Sequence, residues 1–277
     1  VIADVVAKGA LGRMNTQFKF YLQVWTFLSI ASGVALAWIW QQMSEWQSLS
    51  RNVWRVVLGA LVVVAASYTV TATSAKIRDR FYPRTAVINP DNPDLDCKAI
   101  PGMPLPYEVS LALNDQPHSL NGMDYMQWSA YCDQGYYIPL KYDYEAIRWM
   151  QDNIQGSPVI VETNTVEYRL GSRYTINTGL PGVVGWNWHQ RQQRGVVVSD
   201  TLVTKRVEQI GLFYSTPDEA EALDFLKEYD VSYIVVGLYE MAYYPREGLA
   251  KFEHMVDTGL LNVAYQNDGV VIYEVVK

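Results

Sequence analysis

VVLGALVVVAASYTVTATSA, residues 56–75, runs for twenty residues without a charge. At about 1.5 Å per residue, a helix of that length covers about 30 Å, the thickness of a bilayer's hydrocarbon core. Upstream of it lies FYLQVWTFLSIASGVALAWIW, residues 20–40, a second run of twenty-one uncharged residues. Trp25 lies inside that run, Tyr21 near its start, and Trp38 and Trp40 at its end, an aromatic-belt pattern. Ser29, Ser32 and Gly33 are small residues that suit close helix contact in lipid. A polar connector, 41–55, with Trp46 and Trp54 joins the two runs. The two spans read as a transmembrane hairpin at about 20–40 and 56–75, with the lipid bilayer and other transmembrane helices, of the same or other chains, as partners.

Charge divides the chain at the same place. Residues 1–85 carry nine Lys/Arg against three Asp/Glu, and the remainder carries 13 against 26. An acidic remainder excludes nucleic acid as a partner, because phosphate binding needs a basic face. Residues 1–85 therefore form the membrane segment, and 86–277 a soluble α/β domain. The opening nineteen residues lack the apolar core and cleavage site of a signal peptide. Val1 begins in mid-pattern, the expectation for a piece of a longer chain or a processed product.

Residues 86–140 are rich in Pro and poor in periodicity, and are expected to be irregular. From Tyr142 the pattern is regular. Ile147, Met150 and Ile154 recur at helical spacing before Gly156. Residues 159–161 read as a short buried strand, 218–229 as an amphipathic helix, 231–236 as a β-branched strand and 245–255 as a helix. Asn267-Asp268-Gly269 between two apolar runs is a hairpin signal. Alternating helices and strands indicate a layered α/β domain.

No catalytic signature, cofactor-binding motif or metal-ligand spacing is present. His118, His189 and His254 lie far apart in sequence. Cys97 and Cys132 either close a disulfide loop or stand as two separate small core residues. The densest stretch is TGLPGVVGWNWHQRQQRG, residues 178–195: four Gly, two Trp, one His and two Arg, with no acid. Trp186 and Trp188 can stack on a sugar ring or on lipid, Arg191 and Arg194 can fork onto a phosphate, and His189 can donate a hydrogen bond. The competing reading is a turn-rich connector whose indoles pack inward. Arg13 and Lys19 before the first span, and Arg78 and Arg80 after the second, form basic clusters on one membrane face. They either grip a lipid-linked phosphate or anchor the helices.

RMNTQFKFYLQVW at 13–25, DYEAIRWMQDNIQGSPVIVE at 143–162, the 178–195 stretch and LFYSTPDEAEALDFLKEYDVSYIVVGLYE at 212–240 together resemble the C-terminal third of the YYY family. That family comprises large multi-spanning membrane proteins of archaea and green non-sulfur bacteria. It is similar to the GT-C membrane glycosyltransferases, which take sugars from polyprenyl-phosphate donors on the extracytoplasmic face. The resemblance implies an extracytoplasmic domain and a polyprenyl-phosphate-linked sugar as ligand. In the GT-C enzymes the acidic catalytic residue lies in the first outer loop, far upstream of anything in this chain, so the chain alone is not expected to be catalytic. The alternative is a non-catalytic accessory subunit of a membrane complex. Counted alone, positive charge (three Lys/Arg before the first span and four after the second, against two in the connector) would put the domain in the cytoplasm.

Overall fold

The computed structural model describes residues 14–80, 87–88, 97–101, 121–166, 169–194 and 201–277; for 14–18, 78–80, 87–88, 192–194 and 201 it describes the backbone alone. The chain divides into two compact units, Val1–Tyr82 and Pro83–Lys277.

The first unit is two long apolar helices, α1 (Met14–Gln42) and α2 (Ser48–Arg80), with a short 3-10 turn, Met43–Glu45, between them. Within them, Lys19–Glu45 and Ser48–Ile77 are long and apolar enough to cross a membrane, and neither apolar window is covered by the rest of the protein. Phe20, Trp25, Phe27, Leu61 and Val63 are all more than half exposed. Four hydroxyls inside the spans bond to their own helix: Thr26 donates to the Leu22 carbonyl at 3.0 Å, Ser29 to Trp25 at 2.7 Å, Ser67 to Val64 at 2.7 Å and Thr71 to Ser67 at 2.9 Å. That internal satisfaction is what hydrocarbon demands of a polar group. At the connector, Arg55 lies over the Trp40 ring at 5.8 Å, and Trp46 meets Trp54 edge-on at 6.3 Å.

The second unit is a layered domain. Its four-stranded sheet has the order β4-β5-β7-β6, built from β4 (Val159–Val161), β5 (Val231–Gly237), β6 (Leu261–Gln266) and β7 (Val270–Val275). β4 and β5 run parallel; β5–β7 and β7–β6 are antiparallel. Side-chain alternation along a strand sends successive residues to opposite faces. Ile160, Val235 and Ile272 face a core shared with α3 (Lys141–Asn153), α4 (Arg173–Thr178) and α8 (Leu238–Tyr243). Val161, Ile234, Val236 and Tyr273 face a second core with α6 (Thr201–Ser215), α7 (Glu219–Glu228) and α9 (Arg246–Asp257).

The amphipathic helices and the terminal hairpin lie where their periodicity predicts. Ile147 and Met150 of α3 are fully buried, and Ala222, Phe225 and Leu226 of α7 point inward. Asp218 caps α7, accepting from the Ala220 amide at 2.8 Å.

The expectation that 86–140 is irregular is corrected for its described residues. A second small sheet, ordered β1-β2-β3, uses β1 (Val87–Ile88), β2 (Ala130–Asp133) and β3 (Tyr136–Pro139). Its hairpin turns through Gln134 and Gly135, at φ 51° and 75°. Two successive positive φ values are the geometry that matches strand twist across a two-residue loop. Cys132 of β2 is joined to Cys97 by a disulfide, with the Cα atoms 6.0 Å apart.

Candidate functional site

Residues 181–183 of the dense stretch run against β4. Gly179, at φ 76°, ends α4 in the left-handed conformation, as a helix C-terminus favours. The backbone then runs beside β4: the Ile160 amide donates to Pro181 O at 2.9 Å, and the Val183 amide to Ile160 O at 3.3 Å. Gly182 sits where a Cβ would come within 2.7 Å of Thr175 Oγ1. Val183 and Val184 plug the core. The glycines at 179 and 182 thus serve the chain's own packing.

Helix α5 (Asn187–Arg194) follows. Asn164, just past β4, fixes its start: Asn164 Nδ2 donates to the Gly185 carbonyl at 3.2 Å, and Asn187 Nδ2 donates to Asn164 Oδ1 at 3.2 Å. The indole of Trp186 lies 5.4 Å from the His189 ring. Trp188 is 53% exposed, and the Arg191 guanidinium lies over its ring at 5.4 Å. An open indole flanked by a guanidinium offers an apolar face and a positive charge together.

The other residues expected to bind ligand are placed as follows. Lys19 is exposed on α1, in the other unit. Arg13 lies outside the described residues, as do the side chains of Arg78, Arg80 and Arg194. His118 is also outside them, while His254 of α9 meets Glu219 on the domain surface. Among the described residues no three His, Cys, Asp or Glu side chains gather as metal ligands.

Sequence reasoning missed the strongest electrostatic feature. Arg173 is 1% exposed and faces three carboxylates from three other places in the fold. Its Nε donates to Asp143 Oδ1 of α3 at 2.7 Å, and its Nη2 to Glu240 Oε2 of α8 at 3.0 Å. Its Nη1 is 3.9 Å from Glu162 Oε2, just past β4. The rings of Tyr174 and Tyr239 lie 4.9 and 4.8 Å from its Cζ. Two of the acids also hold backbone, and the third holds a side-chain hydroxyl. Glu162 accepts from the Tyr174 and Thr175 amides at 2.9 and 2.8 Å, at the start of α4. Glu240 accepts from Gly237 at 2.8 Å and Thr163 at 3.0 Å. Tyr174 donates its hydroxyl to Asp143 at 2.9 Å.

Burial pushes the Glu162 carboxyl up to about 7, against the pull of Arg173 and of the two amide donors. Burial also raises Asp143, against the pull of Arg173 and with the Glu240 charge adding to the rise. The four charged groups are at most 5% exposed, so they cannot reach a substrate. They clamp the β4 exit, α3, α4 and α8 together. The clamp holds Thr163, and Asn164 next to it holds α5, so it also sets the α5 face.

Lys251 of α9 is a second buried charge, 4% exposed. Its Nζ donates to the carbonyls of Phe213 at 2.5 Å and Gly248 at 2.7 Å. Burial lowers it to about 8. It is sealed beside the Phe213 and Phe252 rings and serves the fold.

No family model and no curated protein matches the chain. Among solved structures, the C-terminal globular domain of an oligosaccharyltransferase from Archaeoglobus fulgidus is similar over 48% of this chain and 95% of that one, at 15% identity and a TM-score of 0.30.

Proposed function

We propose that this chain is the membrane-anchored C-terminal part of a GT-C-like integral membrane protein. Its α/β domain stands on the extracytoplasmic side and offers the α5 face to a polyprenyl-phosphate-linked sugar. The catalytic acid belongs to helices outside this chain. The observation that carries the proposal is the exposed Trp188 with Arg191 over its ring, on a helix end fixed by Asn164. An indole suits a sugar ring or prenyl chain, and a guanidinium suits the phosphate. The Cys97–Cys132 disulfide supports the outward orientation, since such bonds persist in oxidising compartments. The four stretches that resemble the YYY family support the GT-C reading.

A second reading draws on the uncovered helices alone. An accessory subunit anchored by a hairpin would equally leave both apolar windows open for partner helices. The two readings differ in whether those partner helices belong to the same polypeptide.

The test is binding of undecaprenyl phosphate to the full chain in lipid nanodiscs, followed by native mass spectrometry. Removing one charge-assisted contact costs about 1.5–3 kcal/mol, or roughly ten- to a hundredfold in affinity. Arg191→Ala and Trp188→Ala should each weaken binding on that scale while leaving the melting temperature unchanged. Wild-type affinity in both variants would end the α5 proposal.

A further inference from the structure

The geometry points to a second binding site, for a neutral sugar ring, in the cleft that α3 leaves open at the end of the four-stranded sheet. This site does not depend on the α5 face. Tyr233 of β5 is in register with Glu274 of β7, and Glu274 with Asn262 of β6. The three therefore form one row across three strands. Tyr233 shares its face with Val235, two residues on along β5, and Val235 packs in the α3 core. α3 ends at Asn153, and the Tyr233–Glu274–Asn262 row beyond it lines a cleft of about 460 Å³, walled by Gln155, Pro158 and Lys277. That volume falls within the range of about 300–1,000 Å³ for small-molecule sites.

The chemistry of the lining selects the ligand. The Tyr233 hydroxyl donates to Glu274 Oε1 at 3.1 Å, which pre-orients the carboxylate and leaves its other lone pairs free to accept. Asn262 and Gln155 each bring one amide acceptor and two donors. Adjacent sugar hydroxyls both donate and accept, and this set answers both roles, while the tyrosine ring offers an apolar surface to C–H groups. An anionic ligand fits poorly. The lining's one cation, Lys277, is 2.7 Å from Asp230 Oδ1, and Glu274 brings a negative charge. A metal ion has no second carboxylate among the lining residues.

Saturation-transfer NMR on the full chain in phosphatidylcholine nanodiscs, free of glycosidic detergent, tests the site. The probes are the methyl glycosides of glucose, mannose and galactose. At least one should receive saturation from the wild type. Glu274→Ala and Asn262→Ala should each weaken that ligand about tenfold or more. Glu274 and Asn262 are exposed strand residues, and an unchanged melting temperature confirms that the variants keep the fold. The absence of transfer from all three glycosides to the wild type overturns the proposal, as does wild-type transfer in both cleft variants. Loss in Trp188→Ala alone also overturns it, and moves sugar binding to α5. Undecaprenyl phosphate binding at Arg191 is read separately, so either site can fail without the other.

Discussion

Glu162 sets the chain's response to pH. Its carboxyl is raised to about 7 in the fold, against a value near 4.5 in the unfolded chain. A raised acid stabilises the fold fully below the unfolded value, and that contribution is lost as pH rises through the folded one. The domain should therefore be most stable near pH 5 and lose on the order of 3 kcal/mol from this group by pH 8. Denaturant titrations at both pH values check this. Glu162→Gln, which removes the titration and keeps one of the two acceptor oxygens, should flatten the difference. A wild-type stability that rises from pH 5 to 8 would contradict it. Arg173→Met should cost about 3–5 kcal/mol, because it leaves three buried carboxylates without their cation. Here the sequence was least legible. Asp143, Glu162 and Glu240 lie apart from one another and from Arg173 in sequence, and nothing local pairs them with it. Each is a single acid beside an apolar run, and only the packing of α3, α4 and α8 on β4 brings them together. Their one sequence signal was a charge set against buried strands, as in Val-Ile-Val-Glu162. Trp188 and Arg191, by contrast, stood out by composition alone.

Elements with a strong period were read correctly, as was the short strand β4, whereas the β2–β3 hairpin and α5 were not. α3 and α7 repeat apolar residues every three or four positions and bury them. The terminal hairpin announces itself through Asn267, whose side chain accepts from the Gly269 and Val270 amides and closes the turn. The β2–β3 hairpin was missed because its strands have four residues each and follow a Pro-rich run. Gln134-Gly135, with Tyr131 before it and Tyr136-Tyr137 after it, was the signal available. α5 was missed as a helix because NWHQRQQR is polar on every side and bounded by Gly. The β2–β3 turn yields a direct prediction. Gly135→Ala places a Cβ at φ 75° and should destabilise the domain by about 1–2 kcal/mol, read by thermal or denaturant unfolding. No loss would mean that the turn relaxes to another type. The disulfide closing on β2 spans 35 residues, and its loss in the Cys97→Ala/Cys132→Ala double variant should cost about 3–4 kcal/mol by the chain-entropy model.

At the scale of the whole molecule, composition alone separated the two units. Two uncharged runs flanked by basic residues precede an acidic remainder, and the fold places two uncovered apolar helices before a layered domain. The side of the membrane is a harder question, because the two sequence arguments oppose each other. Positive charge favours a cytoplasmic domain, whereas the proposed GT-C-like reading and the disulfide favour the outside. Under the proposed reading other spans precede this hairpin and set its orientation, and basic residues on the outer face would be explained by a phosphate ligand. Protease added to intact cells decides between them most directly, with the domain followed by an antibody to its C-terminal hairpin. An anchored, outward-facing domain predicts cleavage in the Pro-rich stretch between residues 90 and 106 on intact cells, with release of the domain once the Cys97–Cys132 bridge is reduced. Full protection until the cells are lysed would contradict it, and would leave the α5 face on the wrong side of the membrane for an extracytoplasmic polyprenyl-phosphate sugar.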